Sequence, residues 1–320
     1  MRLLLILFFL PTLGWTAPLV PPPGFIRPLP QTLSGKCVTL PAPYTGPLEF
    51  PSKYAGSDSA RATLNPEAER EFRRQTQSIV DFERGISAMV WRYKQSGDPA
   101  TLRCIIAGYR QWADAGAITS TDANHTGRSM RKWALATLAT SWLELPSSPE
   151  NKHVERWLGQ LADRVVQEWD GLPLQKTNNH SYWAAWAVMA TAVALDRRDL
   201  FDWSLKEYRI AAGQIGADGR LPNEQKRGAR ALAYHNYALQ PLVMIASFAA
   251  ANGQDVITTN NNALGRLAGY VLSQPKTDPV WLAPWCDLTR CDATTRDLRD
   301  ASRPLESRRL GGNLSLIYPG

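Results

Sequence analysis

The chain has 320 residues, 36 Lys and Arg against 29 Asp and Glu, a formal net charge of +7 and 44% hydrophobic residues. That length buries a large core in one domain or two. After the first residues no apolar run approaches the roughly 18 that a spanning helix needs, which excludes a membrane span. The basic balance suits an acidic partner.

Met1-Arg2, an apolar run from Leu3 to Leu10, and then Gly14, Thr16 and Ala17 have the layout of a secretory signal peptide over residues 1–17. Cleavage after Thr16 uses Gly14 as the small partner, whereas cleavage after Ala17 meets the bulky Trp15. The mature chain, with Arg2 gone, carries +6 and is expected to be soluble and exported. Outside the cytoplasm nucleic acid is not the expected partner, and an acidic polysaccharide or a headgroup layer is. Cys37, Cys104, Cys286 and Cys291 are an even set in an exported chain, so disulfides are the default among three connectivities. Cys286 and Cys291 are close enough for a local loop, leaving Cys37 to tie the N-terminal segment to Cys104. Their spacing lacks the paired elements of a zinc site, so no metal is expected.

Residues 18–65 are rich in proline and are expected to lie extended as an arm over a surface. Within them Pro51 to Asp58 combines Lys53, Tyr54 and Gly56, the make-up of a lid or of a plain solvated loop. Asn65-Pro66 is a strong helix start, with Glu67 and Glu69 against the dipole. Phe72, Ile79, Phe82, Ile86, Met89, Val90 and Tyr93 follow at helical spacing, and Gly97-Asp98-Pro99 ends the run. Similar patterns predict helices near 99–114, 126–145, 150–169, 179–195, 199–215, 228–251 and 259–273. No window shows sustained period-two alternation. The fold class is therefore all-α, an incomplete (α/α) toroid of antiparallel helical hairpins around a cleft, filling residues 66–320. From Pro275 onward the chain is expected to be irregular, a tail packed across the surface, charge-dense between Asp297 and Arg309.

Two pieces carry chemistry. Asn178-Asn179 before Trp183-Ala184-Ala185-Trp186 is most simply a helix N-cap, with His180 in the first turn, where the positive helix end keeps its ring neutral. In a helix, Arg230, Tyr234 and Tyr237 share one stripe, spread over about 10 Å of axis. A phenol of pKa about 10 is a weak base at neutral pH unless a cation such as Arg230 favours phenolate. The plain alternative is an ordinary amphipathic helix with an exposed arginine and a half-buried tyrosine.

Asn178 to Trp183, Leu221-Pro222-Asn223-Glu224 and Arg230 to Tyr237 closely resemble the alginate lyases of polysaccharide lyase family 5, the poly(β-D-mannuronate) lyases. The resemblance continues through Ser52-Lys53-Tyr54, residues 56–65, Asn124 to Gly127 and Ser129 to Trp133, and covers nearly all of the mature chain. It implies a periplasmic toroid lyase needing no metal or other cofactor, with alginate as substrate. It also implies Asn179, His180, Arg230 and Tyr237 as catalytic residues. Ser52, Lys53, His125, Thr126 and Tyr237 are implied as substrate-binding, with Tyr54, Arg84 and Trp133 as further contacts. Arg128 and the Gly228-Ala229 approach to Arg230 are mild departures that touch subsite affinity.

Such a lyase removes the C5 proton, α to the carboxylate, and expels the 4-O-glycosidic oxygen, so the site must first stabilise an enolate-like dianion. Asn179 and Arg230 are expected to do this. In mannuronate the C5 hydrogen and O4 lie on one side of the ring, so Tyr237 alone serves as base and then acid, or His180 is the base and Tyr237 the acid. Guluronate needs opposed faces, hence an expected mannuronate preference. A monomer is expected. Two other classes remain: a mainly structural member of a periplasmic polymer-export complex, and a glycoside hydrolase. The second requires two opposed carboxylates, and the nearest, Asp218 and Glu224, sit in one loop.

Overall fold

The computed structural model describes residues 16–54, 56, 61–274 and 278–320. All but the last two residues of the expected signal peptide lie outside that set, as do Ala55, Ser57 and Asp58 of the expected lid and the two residues after it. Helix α1 (Pro23–Ile26) is a single turn in the arm. Then α2 (Pro66–Lys94), α3 (Pro99–Asp114), α4 (His125–Leu143), α5 (Lys152–Trp169), α6 (Asn179–Leu195) and α7 (Arg198–Gln214) follow. The caps explain most of the starts. The side chains of Asn65, Asp98, Asn124 and Asn178 each accept backbone N–H groups of the first turn, which otherwise have no partner. Asp196, left-handed at φ 53°, stops α6. The rest are α8 (Pro222–Gln225), α9 (Ala231–Ala251), α10 (Thr259–Leu272), α11 (Leu282–Thr289), α12 (Ala293–Ala301) and α13 (Leu314–Ile317).

Burial separates two layers. Helix α6 is buried continuously from Tyr182 to Val193, as a helix apolar on every side must be. It packs between α4 and α9, with α2 beyond α4 and α11 beyond α9. The outer helices bury one stripe only, as Val154, Trp157, Leu158, Leu161 and Val165 do on α5. Here α3 lies against α2 and α5, α5 against α4 and α6, and α7 against α6 and α10. The result is the incomplete (α/α) toroid expected. Fully buried Trp112, Trp183, Trp186 and Trp281 stake it, and truncating any one to alanine costs about 3–5 kcal/mol.

The C-terminal segment departs from expectation. Leu282–Thr289 and Ala293–Ala301 are helical, and Glu306–Ser307 pairs antiparallel with Gly312–Asn313 around a turn at Arg308–Leu310. It is not a surface tail, because Leu310, Leu314, Ile317 and Tyr318 are buried in the core. Driven by that burial, the turn carries Arg308 and Arg309 to within 3.6 and 3.7 Å of the buried Glu83 carboxylate.

The arm is fastened at several points. The Cys37–Cys104 disulfide ties it to α3, and Cys286–Cys291 closes the end of α11. Leu48 N–H donates to Asp122 O at 2.7 Å, and Asn124 Nδ2 donates to Phe50 O at 2.8 Å. The arm crosses so close to α4 that a Cβ on Gly127 would lie 1.6 Å from Leu48 O. Only glycine fits there. Among the described residues no helix is long and apolar enough to cross a membrane.

Candidate active site

Where the arm meets the starts of α4, α6 and α9, a cavity of about 460 Å³ opens. Ser52, Lys53 and Tyr54 reach it from the arm, and His125, Thr126 and Trp133 from α4. Asn179 and His180 enter at the start of α6, and Arg230 and Tyr237 at the start of α9. Arg84 does not. It pairs with Asp81 on exposed α2 at 3.7 Å and lines a second cavity of about 600 Å³, which shares Tyr237 and Arg309 with the first.

Asn179 is fully buried, and its surroundings dictate its orientation. Its backbone N–H donates to Glu224 Oε1 at 2.6 Å, and Nδ2 donates to both Glu224 oxygens at 3.0 Å. With the amide nitrogen so held, Oδ1 has no partner among the described residues. Glu224 has its pKa raised by burial, opposed by these Asn179 hydrogen bonds and by Arg227.

His180 sits with Nδ1 2.9 Å from Lys132 Nζ and 3.3 Å from Ser129 Oγ. Its ring stacks on Trp169 at 5.9 Å and meets His125 edge-on at 5.0 Å. Its pKa is driven well below 6.5, first by burial and then by Lys132, His125, Arg61 and Arg227. The imidazole is neutral as expected, but burial leads the causes rather than the helix end. His125 is pushed down to about 4 by desolvation, then by Arg61, Lys132 and Arg128.

Arg230 lies just outside α9, in the 3-10 turn Gly228–Arg230 that precedes it, and not within one continuous helix with Tyr237. Its Nη1 donates to Tyr54 OH at 3.2 Å, and the hydroxyls of Tyr54 and Tyr234 are hydrogen-bonded to each other. Burial raises the Tyr54 pKa, but the Tyr234 hydrogen bond and the charges of Lys53, Arg230 and Arg227 outweigh it and leave the phenol below its usual value. Arg227 lies 3.5 Å over the Tyr234 ring and donates from Nη2 to Arg61 O at 2.9 Å, fastening the far end of the lid segment.

The cation beside Tyr237 is therefore Arg309 and not Arg230. Burial raises the Tyr237 pKa, with the Glu83 carboxylate adding to it, while the Arg309 charge pulls it back part of the way. Arg309 is held in turn, because its carbonyl accepts from Trp186 Nε1 at 2.7 Å. Arg61, Tyr234 and Arg309 line the cavity, and Lys132 and Glu224 stand behind it. Of these five only Tyr234 and Glu224 drew any sequence-based reading, for other roles. The signal for the rest was their place inside the stretches at 56–65 and 129–133, or in the charge-dense C-terminal run.

Among the described residues the lining combines the cations Lys53, Arg61, Arg230 and Arg309 with phenols, imidazoles and an amide, and includes no Asp or Glu. That set stabilises an anionic ligand and moves protons. It does not suit glycoside hydrolysis, since Glu224 spends both oxygens on Asn179 and Asp218 turns to Arg220 at 3.7 Å.

Comparisons with known proteins agree. A family model described as "Alginate lyase" matches residues 49–282. An alginate lyase of Pseudomonas putida is 49% identical over 94% of this chain and 92% of its own length, and one of Cobetia marina is 48% identical over 94% and 90%. Among solved structures, a tetrasaccharide complex of a variant of alginate lyase A1-III superposes with a TM-score of 0.78 at 24% identity, covering 91% of this chain and 88% of that one. With more than half of its length inside the family model and relatives near one-half identity across nearly all of it, the chain belongs to the alginate lyase family.

Proposed function

We propose that this protein is an alginate lyase that cleaves mannuronate-rich polymer by β-elimination, in the periplasm, after removal of residues 1–17. The observation that carries the reading is the meeting of Asn179, His180, Arg230 and Tyr237 in one cavity whose described lining holds four cations and no carboxylate. The two disulfides favour an oxidising compartment.

In the reaction, Arg230, Asn179 and His180 surround the uronate carboxylate and withdraw its charge, which makes the C5 proton acidic enough to move. Tyr237 takes that proton in its phenolate form, a minor form because burial raises its pKa and one that the Arg309 charge favours. The electron pair left on C5 forms the C4=C5 double bond as the C4–O4 bond breaks, and O4 leaves with the proton carried by Tyr237. Base and acid are one residue on one face, which suits mannuronate and not its C5 epimer. Lys53, Ser52, His125, Thr126 and Trp133 hold neighbouring sugars, and polymer that passes Tyr237 and Arg309 enters the second cavity, where Arg84 waits. A purely structural role in an export complex is not carried forward, because the cavity supplies proton-moving groups that a strut does not need.

The test measures ultraviolet absorbance of the unsaturated product on polymannuronate, polyguluronate and acetylated polymannuronate side by side. Product from polymannuronate at least about tenfold faster than from polyguluronate is expected, about 1.4 kcal/mol of discrimination. Equal rates overturn the one-face mechanism, and no product from any polymer overturns the lyase reading.

A further inference from the structure

We infer that Lys132 is a positioning residue that sets the tautomer of His180, donating to Nδ1 so that Nε2–H faces the cavity and His180 serves as hydrogen-bond donor to the substrate carboxylate, not as base. This rests on the lyase reading of the cavity. It goes beyond it by naming the residue that holds His180 as a donor and so keeps it from competing for the C5 proton.

Lys132 is fully buried on α4, yet it is not among the residues that line the cavity. Its Nζ has one hydrogen-bond partner among the described residues, His180 Nδ1 at 2.9 Å. Around it lie the faces of Trp133 and Trp169, 4.5 and 4.3 Å from Nζ to the ring centres. Such faces favour a cation but take no conventional hydrogen bond. An ammonium has three donors and no lone pair, so the atom it points at must be an acceptor. A neutral amine would keep two donors and gain a lone pair, and the assignment therefore takes Lys132 as the ammonium that the faces of Trp133 and Trp169 favour. The other neighbour of Nδ1, Ser129 Oγ, is farther away at 3.3 Å and has the His125 carbonyl at 3.0 Å as a target for its proton.

A neutral imidazole has one N–H and one lone pair. With the lone pair at Nδ1 engaged by Lys132, the proton resides on Nε2, the nitrogen left for the cavity that His180 lines. An Nε2–H can donate to a carboxylate but has no electron pair with which to take a proton from carbon. Tyr237 is then left to carry both proton transfers. The charged and titratable groups facing this pair reinforce a neutral ring: His125 on α4, Arg61 in the arm and Arg227 before α9 act on His180. Lys132 itself is held well below its usual pKa by burial and Arg309, with Glu168 of α5 opposing. Second-layer groups that fix the orientation and tautomer of a working histidine act in this manner in metal sites, and the logic does not depend on the metal.

Nitrogen NMR of the 15N-histidine-labelled full chain tests the inference without any activity assay. The wild-type protein is expected to show His180 with an unprotonated Nδ1 and a protonated Nε2 between pH 6 and 8. Lys132→Met, which keeps the volume and removes the donor, should move the ring toward the Nδ1–H form, directed at Ser129. In the same variant kcat on polymannuronate should fall about tenfold or more with KM changed less than about threefold, the mark of an interaction made in the transition state. An Nδ1–H tautomer in the wild type, an unchanged tautomer in Lys132→Met, or a shifted tautomer with undiminished kcat each overturns the assignment. If Lys132→Met fails to fold, the wild-type spectrum decides alone. Failure of every polymer to yield product would strike the lyase reading instead and leave the tautomer result standing.

Discussion

The cavity has two unlike walls. The wall at the start of α6 presents Asn179 and His180, each gripped from behind by a buried ionisable side chain, Glu224 and Lys132. The opposite wall is the arm, where Tyr54 is held by Tyr234 and Arg230, Arg61 by Arg227, and Lys53 lies over the Tyr54 ring. A group whose orientation is imposed by buried partners arrives at the transition state already aligned, whereas a surface cation mainly adds attraction for a charged polymer. The first wall should therefore govern turnover and the second should govern affinity.

The largest expected effect tests the group between the walls. Tyr237→Phe should lower turnover about 10²- to 10⁴-fold, the range of general acid–base catalysis, while the polymer still binds. Retention of turnover within about tenfold would remove Tyr237 from proton transfer. The pH profile of the wild type sharpens the point. Because the Tyr237 pKa is raised, its phenolate fraction is small at neutral pH and climbs with pH, so kcat/KM should climb too. A histidine base already neutral far below pH 6.5 would give a plateau there instead.

Glu224→Gln comes next. An amide facing the Asn179 amide leaves a buried group unsatisfied, a cost of about 1–3 kcal/mol, so kcat should drop roughly 5- to 150-fold with KM nearly constant. Steady-state kinetics showing a raised KM and an intact kcat would erase the difference between the walls. The smallest effect belongs to the arm. Lys53→Met should raise KM by about threefold, leave kcat alone and make KM less sensitive to salt, as removal of one half-buried, solvent-reached cation does. A fall in kcat alone would place Lys53 with the chemistry.

The helical frame was legible because its starts are local. Asn65, Asp98, Asn124 and Asn178 cap the helices they precede, and apolar residues recur at helical spacing after them. The short α11 and α12 were not legible, since helices of eight and nine residues show too few turns to establish a period. Most of the cavity lining was legible through the family resemblance, but the groups that orient it were not. In the stretch Arg131-Lys132 the lysine looks like a solvated charge, and only the arrival of α5 and α6 encloses it between Trp169 and His180. Glu224 looked like a loop carboxylate until α6 was laid against it, and Arg309 depends on a chain reversal more than seventy residues beyond Tyr237. Roles that arise from burial between distant segments leave no local pattern to read.

The crossing of the arm over Gly127 has a consequence for how variants of this protein would be interpreted. Two of the cavity-lining stretches, Ser52 to Tyr54 and His125-Thr126, are registered to each other by a gap with no room for a methyl group. A Gly127→Ala variant would push them apart, although residue 127 does not line the cavity. In an unguided mutational screen it would score with the active-site losses, and a map of function drawn from such scores alone would put a catalytic label on what is a spacer.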